Sequence, residues 1–124
     1  MDTTMKLTKL FDSELKVMEV LWKEGDTPAK RIAEILAEDV GWSKTTTYTV
    51  IKRCHQKGAI ERIQPNWICR PLITMEAARE YETTELINKM YGGATDRLVA
   101  SLLGSKNLSK AEIEKLKQVV RELE

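Results

Sequence analysis

Two sets of side chains in this sequence could do chemistry. One is a polar and cationic run comprising Lys44, Thr45, Thr46, Tyr48, Thr49, Lys52 and Arg53; the other is the soft-ligand set Cys54, His55 and Cys69. Threonine carries a hydroxyl for hydrogen bonds and a methyl that packs on the thymine methyl, while lysine and arginine neutralise phosphates. That mixture suits a surface reading double-stranded DNA. Arg62 and Asn66, further along, are placed for an adjacent backbone or minor-groove contact. The soft ligands are the candidates for metal or redox sensing. They include no Cys-x-x-Cys or Cys-x-Cys pair, however, which argues against a structural zinc site. His55 is the single histidine, and neither a Ser-His-Asp nor a paired-carboxylate arrangement is readable. No glycine-rich phosphate motif occurs. The expectation is a protein that is not an enzyme and uses no cofactor and no metal.

Charge distribution sharpens the first reading. The 124 residues carry a net charge of +1, yet residues 43–73 hold Lys44, Lys52, Arg53, Lys57, Arg62 and Arg70 against Glu61 alone. Both flanks are net acidic. A basic middle between acidic flanks fits a small nucleic-acid footprint better than a surface basic all over. The hydrophobic fraction of 42% and charged fraction of 31% are those of a folding, soluble chain rather than a disordered one. No stretch approaches the roughly 18 apolar residues of a membrane span. Met1–Lys6 shows no secretory h-region, and two cysteines are too few for a disulfide scaffold. The expected location is cytoplasmic.

The elements that must position these residues follow from spacing. Asp12 or Ser13 is the expected cap of a first helix with Leu15, Met18, Leu21 and Trp22 inward and Glu14, Lys16, Glu19 and Lys23 on other faces, ended by Gly25. Thr27 as cap and Pro28 at the first helical position predict a second helix, with Ile32, Ala33, Leu36 and Val40 as its buried stripe. A third runs from Ser43 to about Lys57, with Thr47, Val50, Ile51 and Cys54 inward and Gly58 as left-handed cap. Its outer face carries Thr45, Thr49, Lys52 and Gln56 and no large aliphatic side chain. Ile60–Gln64 and Trp67–Leu72, split by Pro65-Asn66, predict a hairpin. Three helices and a two-stranded wing make a winged helix-turn-helix over residues 1–73, in which the third helix enters the major groove.

Residues 74–124 read as wholly helical. Thr74 caps a helix to about Met90, Gly92-Gly93 breaks it, and a shorter helix ends at Gly104. Ser109 and Glu112 form a capping box for the last helix. This segment is too short to enclose a core alone. Leu98, Val99, Leu102, Leu103, Ile113, Leu116 and Val120 are therefore expected to bury against a second copy, making a homodimer.

The stretches Asp12–Trp22 and Gly41–Arg53 resemble the penicillinase-repressor family (BlaI, MecI and CopY type). So do Lys57-Gly58, Pro71-Leu72-Ile73, Tyr91-Gly92-Gly93 and Leu108–Leu116. The resemblance covers roughly residues 8–123. It implies a dimeric winged-helix transcriptional repressor whose N-terminal domain binds half of a palindromic operator and whose helical C-terminal domain dimerises. By position, the family's DNA-contacting helix falls on Thr45, Thr46, Tyr48, Thr49 and Arg53, with Lys44 at its start. Many members have Ser-Pro-Lys-Thr where this chain has Ser43-Lys44-Thr45-Thr46, and the wing turn here is about two residues shorter than in the antibiotic-resistance members. The resemblance also implies a membrane sensor-protease system as partner, but the cleaved Asn-Phe bond of β-lactam-responsive members is matched by Ser101-Leu102. Copper-responsive members carry Cys-x-Cys motifs near the C-terminus, and no cysteine follows Cys69 here. Two other readings stay open at this point: a thiol- or metal-responsive regulator using Cys54, His55 and Cys69, and a winged-helix protein-interaction adaptor.

Overall fold

The structure, a computed structural model, describes residues 9–104 and 108–123; the expectation drawn from Met1–Lys6 lies outside them. Helix α1 spans Asp12–Glu24 and puts Val17, Met18, Val20 and Leu21 into the core. Its cap is Phe11, one residue earlier than expected, because Glu14 turns back and accepts the Phe11 amide N–H at 2.8 Å. That satisfies an amide the helix leaves without a partner. Glu14, expected on an outward face, is instead buried at 1% exposure. A buried carboxylate needs a counter-charge, and Lys57 supplies it with Nζ 2.6 Å from Oε1.

Strand β1 (Thr27–Pro28) precedes α2 (Ala29–Val40). The expected Thr27 cap and Pro28 start are thus displaced: Pro28 is the cap, and the Thr27 hydroxyl donates to the Gly25 carbonyl at 2.7 Å. Thr27 and Pro28 are held extended by pairing with a later strand, which outweighs the local capping preference. Ala29, Ile32, Ala33 and Leu36 form the buried stripe of α2. Val40, predicted to complete it, is exposed in the last turn. Gly41 then takes a left-handed conformation, φ 74°, and its amide closes on the Ala37 carbonyl; a side chain there would be strained.

Helix α3 spans Lys44–Gln56 and has Ser43 as its cap, the Ser43 Oγ accepting from the Thr46 amide at 3.1 Å. Thr47, Val50, Ile51 and Cys54 are buried, as their spacing requires. Four threonines and a valine-isoleucine pair are weak helix formers, so burial of this face holds the helix. Strands β2 (Ile60–Ile63) and β3 (Ile68–Pro71) follow. They pair antiparallel with Ile60 opposite Pro71 and Ile63 opposite Ile68. On its other edge β3 pairs Thr27 with Cys69 and Pro28 with Ile68, so the wing sheet has three strands in the order β1-β3-β2 rather than two.

The core beneath α3 is made by Met18, Leu21, Ile32, Ile51 and Ile60, all essentially inaccessible. Each such side chain contributes about 1.5–3 kcal/mol of burial. The Trp22 indole N–H donates to the Ile73 carbonyl at 2.8 Å, tying α1 to the chain leaving the wing.

The chain divides into two compact units, Met1–Glu82 and Thr83–Glu124. Helix α4 (Met75–Met90) begins in the first and ends in the second. Thr74 caps it, its Oγ1 accepting from the Ala77 amide at 3.0 Å. In the second unit, α5 (Thr95–Leu103) and α6 (Lys110–Leu123) contain no buried residue. The Ser109–Glu112 box is formed reciprocally, at 2.9 and 3.1 Å.

Candidate nucleic-acid interface

The first two turns of α3 and its cap present hydroxyls whose hydrogen-bonding capacity is partly committed. The Ser43 hydroxyl donates to Thr46 Oγ1 at 2.9 Å, leaving the Thr46 proton free to donate outward. Thr49 donates to the Thr45 carbonyl at 2.9 Å, leaving its oxygen as an acceptor. Thr45, Thr46 and Thr49 are all exposed. Such a surface offers donor, acceptor and methyl groups side by side, as base-edge readout requires.

The six cations of the basic segment divide into two kinds. Lys57 is spent on Glu14, and it also lies 4.3 Å above the Phe11 ring. Arg70 sends Nε and Nη2 to Asp26 Oδ2 at 3.0 and 2.8 Å and has Nη1 3.9 Å from Glu61. That hydrogen-bonded pairing lowers the Asp26 pKa and raises the Arg70 pKa. Among the described residues, Lys44, Lys52, Arg53 and Arg62 meet no carboxylate. All four are exposed, three of them on α3 and one on the wing.

Helix and wing meet through aromatic rings. Tyr48 and Trp67 lie 5.6 Å apart between centroids, tilted by 38°. Lys44 Nζ is 5.8 Å from the Tyr48 ring, and the Arg62 guanidinium carbon is 4.1 Å from the Trp67 ring. Lys44, Thr45, Tyr48, Thr49 and Lys52 together with Trp67 line an open recess between α3 and the wing. Spacing along the chain did not single out Trp67 for this place. Its only signal is a large aromatic at the foot of a tight turn, five residues after an arginine. Asn66 is exposed in that turn, and Arg53 lies further along α3, exposed on its outer side.

The soft ligands are placed otherwise. Cys54 and Cys69 are fully buried, whereas His55 is exposed. Burial, first of all, pushes the Cys54 thiol up to about 12 and the Cys69 thiol up to about 11. Among the described residues, no group of three His, Cys, Asp or Glu side chains is arranged to hold a metal ion.

In the second unit the residues expected to dimerise share one region. Leu98 and Ile113 are half-buried, while Val99, Leu102, Leu103, Leu116 and Val120 are exposed. Apart from Leu98 and Ile113 these residues, with Val119, line an apolar groove of about 390 Å³ between α5 and α6.

A family model described as "Penicillinase repressor" matches residues 10–122. The chain is similar to the methicillin resistance regulatory protein MecI of Staphylococcus aureus (strain N315), with 31% identity covering 93% of this chain and 95% of that protein. It is similar also to the penicillinase repressor of Bacillus licheniformis, at 28% identity over 94% of this chain and 93% of that protein. A solved structure of the monomeric form of Bacillus licheniformis BlaI, in complex with the blaP half-operator, superposes with a TM-score of 0.52. It shows 27% identity and covers 58% of this chain and 90% of that one. No described helix is long and apolar enough to cross a membrane. Since the match extends through both the winged helix and the helices that follow it, the chain belongs to the penicillinase repressor family.

Proposed function

We propose that the protein is a cytoplasmic, homodimeric transcriptional repressor that occupies a palindromic operator and so blocks the promoter. The observation that carries this reading is the exposed face of α3. It joins three exposed threonine side chains to cations that, among the described residues, meet no carboxylate. Lys44, Lys52, Arg53 and Arg62 take phosphates, while Thr45, Thr46, Tyr48 and Thr49 face base edges. The relative solved on a half-operator supports one such unit per half-site. Residues 1–73 supply the reading head and residues 74–124 the dimer contact, through the unburied apolar groove of α5 and α6. The two recognition helices then sit about 34–36 Å apart, or a multiple of that distance.

The other two readings fare worse on the same geometry. An adaptor needs large apolar anchors on its docking face, and the outer face of α3 has none. A thiol sensor needs accessible, ionisable cysteines, and here both are buried with raised pKa values. A membrane sensor-protease acting at Ser101-Leu102 would meet an exposed bond, but one that lies within α5 and must unwind before it is cut.

The test is fluorescence anisotropy on a duplex of roughly 30 base pairs from the gene's own upstream region, beside a scrambled duplex, at several salt concentrations. The expected result is a preference of about 10³ or more for the native duplex. Arg53→Ala weakens binding to both duplexes, and Thr46→Ala changes the preferred base. Equal affinity of the native protein for the two duplexes would overturn operator recognition.

A further inference from the structure

We infer that Trp67 is a positioning residue for operator binding: it clamps the wing to α3 and aims Arg62 at the DNA backbone. The inference rests on the operator-binding reading above and adds to it a residue that touches no base. Arg62 is the wing's one cation without a carboxylate partner among the described residues, since Arg70 is held by Asp26 and Glu61. The turn between β2 and β3 contains only Gln64, Pro65, Asn66 and Trp67, so no longer loop is present to carry a second cation.

Two contacts hold Arg62, and a third braces the ring beside it. Its guanidinium lies 4.1 Å from the Trp67 ring. Its Nε donates to the Gln64 amide oxygen at 3.0 Å in the amide orientation that satisfies both groups of Gln64. Trp67 itself is braced from the other side by the Tyr48 ring of α3 at 5.6 Å. The backbone agrees. Trp67 adopts a left-handed φ of 46°, a conformation that a bulky residue keeps only when its surroundings over-determine it. Its carbonyl accepts the Ala29 amide at 3.0 Å, fixing it to the start of α2. An arginine whose plane and Nε are already engaged loses little rotamer freedom when its terminal nitrogens meet a phosphate. Trp67 thus sets in advance where the wing's single free charge sits relative to α3.

The test uses the full chain and salt-titrated anisotropy on the upstream duplex. Arg62→Ala is expected to reduce the slope of log affinity against log salt by about one for each half-site, as loss of one phosphate contact requires. Trp67→Leu removes no charge, yet it is expected to reduce the slope by the same amount. Trp67→Phe, which keeps a ring face, restores it. The Trp67→Leu, Arg62→Ala double variant is expected to lose no more than Arg62→Ala alone. A generally loosened fold would lower the affinity of Trp67→Leu without changing its slope.

Arg62→Lys examines the same contact from the surface side, where folding is not at stake. It keeps the charge but has neither the guanidinium face that meets the indole nor the Nε that meets Gln64, and weaker binding is expected. A Trp67→Leu protein that binds with the native slope, or an Arg62→Lys protein with native slope and affinity, would overturn the positioning role while operator binding stood. A native protein that does not prefer the upstream duplex would overturn both.

Discussion

Cys54 and Cys69 show how residues that attract attention by type can belong to the interior. Each is inaccessible, and burial raises each thiol from its ordinary 9.0, to about 12 and about 11 respectively. The unfolded chain therefore gives up these protons first as pH rises. Stability is whole below about pH 9 and falls through the interval up to pH 11–12, by about 1.4 kcal/mol per pH unit for each thiol at most. Urea denaturation at pH 8 and pH 10.5 checks this, with Cys54→Ala expected to flatten the loss. A disulfide-exchange reagent at pH 8 should label both thiols only as fast as the protein opens. Rapid stoichiometric labelling of the native protein would revive the sensor reading.

At the scale of elements, the Glu14–Lys57 pair joins the first turn of α1 to the residue that follows α3, with side-chain exposures of 2% and 23%. Lys57→Met would leave the Glu14 carboxylate buried with only the Phe11 amide for company. The expected loss is about 2–3 kcal/mol, below the usual cost of breaking a fully enclosed pair because Lys57 is partly wet. Equilibrium denaturation measures it, and Glu14→Gln, which keeps a hydrogen-bonding oxygen without a charge, is expected to lose less. This pair also marks the limit of what helical spacing can disclose. Thr47, Val50, Ile51 and Cys54 were legible as the inward face of α3 because a period of 3.6 residues sorts them without outside help. The Ser109–Glu112 box was legible because both halves lie within one turn. Glu14, by contrast, is buried by a partner 43 residues away, and Thr27-Pro28 is made a strand by Cys69 and Ile68. Nothing near either segment announces such a partner. The candidate site divides in the same way. The threonines and free cations of α3 could be read from type and spacing, whereas the Tyr48–Trp67–Arg62 stack arises only when wing and helix meet.

For the whole molecule, the proposed dimer rests on the unburied α5 and α6. Val99, Leu102, Leu116 and Val120 are between 37% and 54% exposed, an apolar surface that water disfavours unless a second copy covers it. Val120→Glu is expected to give a monomer in sedimentation at micromolar concentration while leaving the helical content of the first unit intact. Its preference for the full palindrome should fall toward that for a single half-site, because the gain from linking two heads is lost. A native protein already monomeric under those conditions would remove the dimer from the mechanism.

The two faces of α3 also bear on how such a protein diversifies. Thr45, Thr49 and Lys52 make no core contact, while Thr47, Val50, Ile51 and Cys54 hold the helix in place. Folding and, on the proposed function, reading thus fall largely on separate residues of one helix, with Tyr48 belonging to both. Descendants of a duplicated gene can exchange the outer residues, acquire new promoters and still inherit an undamaged scaffold, and a randomised library at those positions would be enriched in folded proteins for the same reason.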